Sequence, residues 1–458
     1  MILAIDCGST NHKVALFDER LRRLSSASRP VLYTVRTAER VEFDPEKTWR
    51  DTVELIHEVC CAAQLTPRQI KTITLTSQAN TFTLVNAADT AVTPFISWLD
   101  KRSTEEVAEL NRLIGAGFHK HCSFPRPSPQ LQISKLLWMS RHLPTKVRMG
   151  ARLMSLPSFL AWRLAGLHCT DTNLAAMSGM YSLQEQSWWT EGLASCGWVE
   201  EDCGQVVAPG DPVPTECQCI ELNLSPELEI VFAGNDQTAG AVANGIRNGG
   251  LVLTLGTALV AYRFAGNQAG PYLAAGWWGI YPGGGFYELM ARDEGCNALD
   301  WAVEQTMPGR EAEFFQLATT AVVGSASFFP QLMHTPDAWI GSSGIAAKAR
   351  AVLEGISFSL RELVEGMAAN RGAKETISVI GGGSTNPFWL AMLANVLNRP
   401  IRRGHGDNLL GAAMMARPKI TPETVNASDC FLPDADQVEE YERVFESWQQ
   451  HAAVTVPA

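Results

Sequence analysis

The chain carries one short pattern near the start of each half: an apolar strand, a turn containing Gly and Thr, and a second apolar strand. The first copy is IDCGST at residues 5–10, and the second is LTLGT at residues 253–257. Because self-similarity at a fixed period is the sequence signature of repeated architecture, the pattern predicts a duplicated α/β domain pair. The two turns would face each other across a cleft. Coincidence stays open as an alternative, since strand-turn-strand hairpins are common.

Length and composition agree with two large domains rather than several small ones. The 458 residues would allow two to four domains, and duplication favours two, divided near residue 245. Hydrophobic residues make up 46% and charged residues 19%, which indicates a large buried interior. The net charge is −11 and no basic run offsets it, so nucleic-acid partners are disfavoured.

Targeting signals and cysteine spacing give the expected compartment. The chain starts directly on an apolar strand, and its apolar stretches are too short for a membrane span. The 11 cysteines are irregularly spaced, which argues against a disulfide framework. We therefore expect a reduced, cytoplasmic protein with no membrane partner.

The remaining signals alternate between strand and helix. In chain order they predict a hairpin over 1–18, a helix capped by Asp44 and opened by Pro45, neighbouring strands at 70–75 and 81–85, helices at 134–142 and 158–164, a strand at 228–233, a helix at 238–244, strands from 251 and at 259–264, a helix at 345–370, a strand at 377–380 and a helix beginning near Asn386.

Three glycine-rich turns follow apolar strands, around Gly8, Gly256 and Gly381. Successive backbone N–H groups in such turns form anion-binding concavities, and glycine allows a phosphate to approach closely. No Walker A motif occurs in the chain. The three turns together favour a nucleotide site of a non-P-loop type, although each could simply reverse the chain.

Two acids and one lysine stand beside these turns. Asp6 precedes Gly8, a position suited to Mg²⁺ coordination through water. Asp236 ends a predicted strand and suits a general base for a hydroxyl proton. The alternative for both is a helix cap, and for Asp236 a cap of the helix at Thr238 is credible. Lys13 could reach a γ-phosphate or be an ordinary exposed lysine.

Two polar segments could recognise hydroxyl groups. Trp98, Asp100 and Arg102 combine an indole, an acid and a base just before a helix, although Asp100 could cap that helix with Trp98 buried. Residues 77–81, SQANT, place amides and hydroxyls at a strand end. The tryptophan pairs at 188–189 and 277–278 could stack on sugar rings, but packing is the more common role of aromatic side chains.

Taken in order, these residues resemble the FGGY family of carbohydrate kinases, in the actin/hexokinase superfamily. The resembling segments run nearly end to end: DCGSTN at 6–11, W-x-D-x-R at 98–102, GNDQ at 234–237, LGT at 255–257, LEGISF at 353–358, GGGSTNPFW at 381–389 and LGAA at 410–413. Each segment is weak alone, and the order makes the set specific.

The resemblance implies an α/β, duplicated ribonuclease-H-like fold of the actin/hexokinase type, with two domains around a nucleotide cleft. Residues 1–244 would form the sugar-binding domain and residues 245–458 the nucleotide-binding domain. It implies ATP and Mg²⁺ as cofactors, a small-molecule sugar or polyol as partner, Asp236 as base and Asp6 as the residue holding the hydrated metal. The nucleotide would be bound by Gly8, Ser9, Thr10, Lys13, Gly256, Thr257, Gly381, Gly382, Gly383 and Asn386. The sugar would be bound by Gln78, Ala79, Asn80, Trp98, Asp100, Arg102 and Asp236.

The segment at 77–81 departs from the family. Many members with ketose substrates have GQMHG there, and the glycerol-type QRET is also missing. A ketose such as xylulose is favoured by family prevalence, with a polyol of the glycerol or erythritol type as the alternative. A catalytically inactive sugar- or nucleotide-binding regulator is a third hypothesis, against which the retention of Asp6 and Asp236 argues. A metal-dependent hydrolase would need clustered ligands that the nine histidines do not form. A homodimer is the oligomeric state to test.

Overall fold

The computed structural model describes residues 1–145, 151–215, 219, 221–246, 250–271, 276–341, 344–367, 376–420 and 429–455. Packing divides the chain into two compact units. The first comprises residues 1–245, 265–287 and 406–424, and the second comprises residues 246–264, 288–405 and 425–458. Two late segments thus pack with the N-terminal part of the chain. The predicted assignment of sugar to 1–244 and nucleotide to 245–458 stays a prediction.

The helices are α1 (Pro45–Ala62), α2 (Glu106–Ile114), α3 (Phe118–His121), α4 (Gln132–His142), α5 (Leu156–Ala165), α6 (Thr172–Met177), α7 (Thr190–Cys196), α8 (Asp236–Ala243), α9 (Cys296–Thr306), α10 (Glu311–Thr320), α11 (Ile345–Gly366), α12 (Pro387–Leu397), α13 (Asn408–Ala416) and α14 (Ala435–Thr455). Within the described ranges, no helix combines the length and the apolar character that a membrane crossing requires.

The strands are β1 (Ile2–Cys7), β2 (Asn11–Phe17), β3 (Arg23–Pro30), β4 (Tyr33–Arg36), β5 (Val41–Phe43), β6 (Thr72–Ser77), β7 (Phe82–Val85), β8 (Phe95–Ile96), β9 (Arg152–Ser155), β10 (Cys169–Asp171), β11 (Tyr181–Ser182), β12 (Ser187–Trp188), β13 (Gln205–Val207), β14 (Pro212–Pro214), β15 (Glu229–Asn235), β16 (Leu251–Leu255), β17 (Leu259–Gly266), β18 (Trp277–Ile280), β19 (Phe286–Arg292), β20 (Ala326–Phe328), β21 (Trp339–Gly341), β22 (Ile377–Ile380), β23 (Ile401–Arg403) and β24 (Cys430–Phe431).

The main sheets of the two units share one strand order. In the first unit the order is β3-β2-β1-β6-β15-β14, and in the second the corresponding strands follow β19-β17-β16-β22-β23-β24. In each sheet a hairpin (β1 with β2, β16 with β17) is antiparallel, the next two pairings are parallel, and the last strand is antiparallel. The repeated order confirms the predicted duplication of an α/β domain.

Local signals place the elements around these sheets. Helix α1 begins as predicted, because the Asp44 carboxylate accepts from the Glu46 N–H at 2.9 Å and Pro45 occupies the first turn. Its apolar face, including Trp49, Val53 and Ile56, packs into the core of the first unit. Helix α11 begins at Ile345 as predicted and ends at Gly366, and the predicted extension over 368–370 lies outside the described residues.

Two other expectations are settled by the structure. The strand predicted at 81–85 is β7, but it is not a neighbour of β6. It belongs to a separate five-stranded sheet of order β4-β5-β8-β7-β9, because β7 pairs antiparallel with β8 and β9. In the tryptophan pairs, Trp188, Trp189 and Trp278 are buried, which confirms packing as their role.

Candidate active site

The turn between β1 and β2 is tight and its backbone is held from several sides. The Gly8 N–H donates to the Asn11 carbonyl at 3.1 Å, and a Cβ at Gly8 would lie 3.0 Å from the same oxygen. The Tyr33 hydroxyl donates to the Ser9 carbonyl at 2.7 Å, and the Val31 N–H donates to the Thr10 carbonyl at 2.9 Å. Because these carbonyls all accept hydrogen bonds from within the protein, the shape of this predicted phosphate turn is fixed.

Asp6 lies in β1 immediately before this turn and is almost fully buried. One carboxylate oxygen, Oδ2, accepts from the Asn408 side-chain amide at 3.2 Å. The other, Oδ1, is buried without a hydrogen-bond partner among the described residues. Because a buried, partly unpaired carboxylate is unfavourable, this oxygen marks a place where a cation or a hydrated cation would be stabilised.

Asp236 is held in place by hydrogen bonds at the end of β15 and the start of α8. It is the first residue of α8, and Asn235 caps that helix by accepting from the Thr238 N–H at 3.0 Å. The alternative that Asp236 itself caps at Thr238 is therefore wrong. The Asp236 carboxylate accepts from the adjacent Gln237 N–H at 2.8 Å, and its side chain is partly exposed. Asn173 accepts from the Asn235 N–H at 3.0 Å, which anchors the end of β15.

Burial shifts the titration of both acids. Burial raises the pKa of Asp6 to about 7, the charge of Asp236 raises it further, and Lys13 and Asn408 lower it. Burial raises the pKa of Asp236 to about 6, and its N–H bond from Gln237 and the charge of Lys13 act in the opposite direction. Lys13 lies opposite Asp6 in the β1–β2 hairpin and is exposed. The structure thus brings Asp6, Lys13 and Asp236 into one electrostatic group.

The SQANT segment continues from β6 beside the first turn. The Gln78 N–H donates to the Cys7 carbonyl at 3.1 Å, and its side-chain amide nitrogen lies 3.5 Å from the Gly8 carbonyl. Its side-chain oxygen is buried with no described partner, so it could accept from a ligand hydroxyl. Asn80 takes the left-handed conformation, φ 59°, and its side-chain oxygen accepts from the Gln132 N–H at 3.2 Å. Ala79 is half-buried between them.

The second polar segment is largely an internal ion-pair cluster. Arg102 donates to both oxygens of the fully buried Asp100 at 2.7 Å, and it contacts Glu42 at 2.5 Å. Asp100 also accepts from the Val41 N–H at 2.8 Å. Trp98 is half-buried, so its indole keeps an exposed portion that Asp100 lacks. Asp100 and Arg102 are brought together as predicted, with each other as principal partners.

The second unit repeats the turn without the charges. The Gly256 carbonyl accepts from the Cys296 N–H at 2.7 Å, and the Thr257 carbonyl accepts from the Gly295 N–H at 3.1 Å. Gly381 has φ 96°, and a Cβ there would lie 2.6 Å from the Leu255 carbonyl oxygen. Only glycine permits this approach, which seats the GGG loop against the end of β16.

A cavity of about 640 Å³ opens beside this loop, within the second unit. Its walls comprise Gly256, Thr257, Cys296, Leu299, Asp300, Glu311, Phe315, Gly382, Gly383, Thr385, Asn386, Pro387 and Trp389. A Cβ on Gly382 would meet no atom within 4 Å. Asn386 also caps α12, accepting from the N–H groups of Phe388 and Trp389 at 3.0 and 3.2 Å. The predicted nucleotide residues Gly256, Thr257, Gly382, Gly383 and Asn386 therefore share one cavity.

Sequence reasoning missed several residues of both regions. Asn408, the partner of Asp6, lies 402 positions away, and no local pattern connects the two. Asn173 is the last residue of a D-T-N sequence that begins at the end of β10. Asp171, the first residue of that sequence, caps α6 by accepting from the Asn173 N–H at 2.9 Å, and this cap motif could have drawn attention to the position. Asp300 and Glu311, in the cavity wall, are exposed acids with no distinguishing spacing.

Comparison with known proteins shows that the chain is similar to kinases of sugars and polyols. It is 25% identical over 445 residues to a xylulose kinase of Klebsiella pneumoniae, covering 92% of this chain and 91% of that protein. It is 27% identical over 436 residues to a glycerol kinase of Gloeobacter violaceus, covering 88% and 84%. A ligand-bound xylulose kinase from Lactobacillus acidophilus has the same fold, with a TM-score of 0.88 at 21% identity over 100% of this chain and 98% of that one.

Family models agree with these relatives over most of the chain. The N-terminal domain model of the FGGY carbohydrate kinases matches residues 1–243, and the C-terminal domain model matches residues 325–417. With the duplicated fold and the two glycine turns, these matches show that the chain belongs to the FGGY family of carbohydrate kinases.

Proposed function

We propose that the protein transfers the γ-phosphoryl group of ATP to a hydroxyl of a small sugar, with Asp236 as general base. The observation that carries this proposal is the pair of acids Asp6 and Asp236, which are close enough for the charge of one to raise the pKa of the other. A base with a pKa of about 6 is largely ionised at neutral pH and still accepts a proton readily. An inactive regulator would have no need of such a base.

Asp6 suits the metal that accompanies ATP. Its unpartnered Oδ1, together with a pKa raised to about 7, fits a carboxylate that binds a hydrated divalent cation. When bound, Mg²⁺ neutralises negative charge on the phosphates. Asn408 holds the other oxygen of Asp6 and thereby fixes the orientation of the carboxylate.

The nucleotide is assigned to the second unit. The cavity volume of about 640 Å³ falls in the range typical of small-molecule sites, and its wall contains the GGG loop. Backbone N–H groups of the turns at Gly8 and Gly256 supply positive partial charge for phosphates, as does the ammonium of Lys13. Such local sources are needed because the net charge of the chain is −11.

The sugar is assigned to the first unit, near Asp236. Gln78 offers a buried acceptor, and Trp98 offers a half-buried ring face. Ala79, Asn80, Asp100 and Arg102 complete the proposed surface, the last two by shaping the turn that carries Trp98. A ketopentose such as xylulose is favoured, since xylulose kinases recur among the relatives.

A polyol is the second candidate. The relative from Gloeobacter violaceus is a glycerol kinase of comparable identity. The SQANT segment also lacks the GQMHG sequence of many ketose-specific members. The sequence at this position therefore leaves room for a substrate without a ketone.

The test is a coupled assay of ADP release, run with ATP and Mg²⁺ over ketopentoses, ketohexoses, aldonates and polyols. We expect the largest kcat/KM with a ketopentose. A preference for glycerol or erythritol would support the polyol alternative. Nucleotide binding without ADP release on any sugar or polyol would contradict catalysis and support a regulatory role.

A further inference from the structure

Lys135 is a fully buried lysine in the first turn of α4. Its ammonium donates to the carbonyls of Ser97 and Gln130, both at 2.8 Å, and lies 3.5 Å from the carbonyl of Asn80. The three acceptors come from three separate parts of the chain. One side chain therefore joins the SQANT segment, the segment preceding Trp98 and the loop before α4.

Two further bonds tie the same segments together. The Gln132 N–H donates to the side-chain oxygen of Asn80 at 3.2 Å, and the Trp98 N–H donates to the Thr81 hydroxyl at 3.0 Å. Residues 78–81 and 97–98 are thus held at a fixed separation by α4 and by one another. These are the two segments that carry the proposed sugar contacts.

The charge of Lys135 is not needed to balance a neighbouring acid. The nearby carboxylate, Asp100, is engaged by the Arg102 side chain and by the Val41 N–H. Burial lowers the pKa of Lys135 to about 7; the charge of Asp100 opposes this shift and that of Arg102 adds to it. Burying a cation is unfavourable unless it is well hydrogen-bonded. An apolar side chain would fill this space without the desolvation cost of a buried charge, but it could not donate hydrogen bonds to the three carbonyls.

We propose that Lys135 is a positioning residue of the sugar site, which holds the Asn80 and Ser97 carbonyls and so sets the separation of Gln78 and Trp98. This inference rests on the proposed binding of sugar by those segments. It predicts an effect on sugar binding without a direct effect on nucleotide binding, since all partners of Lys135 lie in the first unit.

The experiment is Lys135→Met in the full chain, which keeps much of the length and removes the donors. With the sugar selected by the ADP-release assay, we expect KM for sugar to rise about tenfold and KM for ATP to stay within about twofold of wild type. Gln132→Pro is a milder companion, because it removes the N–H that bonds Asn80 at a helix position that tolerates proline. We expect it to raise KM for sugar by about threefold.

The matched control is Arg350→Met, which removes a buried cation from α11 of the second unit. Arg350 donates to Glu354 at 2.8 Å, to the Ala321 carbonyl at 3.0 Å and to the Tyr441 hydroxyl at 2.8 Å. We expect this variant to lower the melting temperature and leave KM for sugar unchanged. Equal changes of KM for sugar in both variants would reduce Lys135 to a general stability role and overturn the inference.

The outcomes separate this inference from the proposed function. An active wild type together with an unchanged KM for sugar in Lys135→Met would overturn the role of Lys135 alone. Absence of sugar-dependent ADP release by the wild type would overturn the proposed function and this inference with it. If Lys135→Met does not fold, Lys135→Gln takes its place, because its shorter side chain keeps a polar donor at the buried position and should still raise KM for sugar; an unchanged KM would overturn the inference.

Discussion

The two copies of the strand-turn-strand pattern differ most in the charge of the residues beside the turn. In the first, Asp6 lies opposite Lys13 in the hairpin, and in the second the corresponding cross-strand pair is Thr254 and Val260. The first turn spans four residues between its last paired positions and the second spans three, 256–258. The same backbone has therefore been kept twice, whereas a pair of charged residues flanks the turn in only one copy.

This difference indicates a division of labour within a duplicated fold. The copy with the Asp6–Lys13 pair lies in the unit with Asp236, where we propose proton transfer and metal binding. The copy without a charged pair beside its turn borders a cavity whose wall includes Gly256, Gly382 and Gly383, where close backbone approach is the main requirement. Changes of charge in the first unit should therefore affect kcat, and added volume in the second unit should affect binding of ATP.

The largest expected effect is that of Asp236→Asn. Removing a general base should lower kcat by about 10³-fold or more, while the fold stays intact. The pKa of Asp236 is raised from 3.8 to about 6, so the folded form binds more protons and the free energy of unfolding falls as pH rises through this range. The neutral amide should thus raise the free energy of unfolding at pH 7.5 by on the order of 1 kcal/mol for this partly exposed group. Steady-state kinetics measures the change in kcat, and thermal denaturation measures the change in stability. Near-normal turnover would refute the assignment of Asp236 as the base.

Asp6→Asn should have the next largest effect. The amide cannot supply the charge that we assign to metal binding, so we expect kcat to fall by about 10²-fold and the Mg²⁺ concentration for half-maximal activity to rise. A titration with Mg²⁺ at saturating ATP measures this. An unchanged Mg²⁺ dependence would remove Asp6 from the metal site. Asn408→Ala, which removes the partner of Asp6, should shift the same titration by a smaller factor.

The pH dependence of kcat/KM should reflect the acids of the first unit. Because Asp236 must be ionised to accept a proton and its pKa is about 6, kcat/KM should fall at least about tenfold between pH 7 and pH 5. Protonation of Asp6, whose pKa is about 7, adds to this fall. Rates measured across this range, with enzyme returned to pH 7 to check recovery, test the expectation. The residual activity of Asp236→Asn should lose the part of this dependence that comes from Asp236 and keep the part that comes from Asp6. A limb of the profile that persists in the variant would have to come from another group.

The smallest effect is expected from added volume in the second unit. Gly382→Ala places a methyl group in open space beside the cavity, so KM for ATP should rise by about fivefold with little change in melting temperature. Gly381→Ala is its partner for comparison, because its methyl group would meet the Leu255 carbonyl at 2.6 Å in a backbone of φ 96°. That variant should lose stability. If Gly382→Ala instead changed KM for sugar alone, the assignment of nucleotide to this cavity would be wrong.

Local features of the fold could be predicted from the sequence. Short stretches of sequence determine the β1–β2 hairpin, the cap at Asp44 and the strand leading to Gly381. The pairing of β7 could not be predicted, because adjacent strands in the chain need not share a sheet and its partners β8 and β9 are fixed by tertiary packing.

The same limit applies to the site. Asp6, Asp236 and the glycine turns stand out because strand ends and glycines leave a local pattern. The bond from Asn408 to Asp6, and the three carbonyls around Lys135, join residues that are distant in sequence. No periodicity encodes such contacts, so only the folded structure identifies them.

The return of α13 to the first unit has a consequence for biosynthesis. Gly411 in this helix lies so close to α8 that a Cβ would be 1.8 Å from the Ala239 carbonyl, and Leu409 and Ala412 belong to an apolar cluster with Ile2 and Ala4. A nascent chain that ends before residue 406 therefore leaves part of its first-made core uncovered and Asp6 without Asn408. Synthesis must therefore proceed beyond residue 406 before β1 acquires all of its final neighbours, so folding of the first unit is completed late in translation.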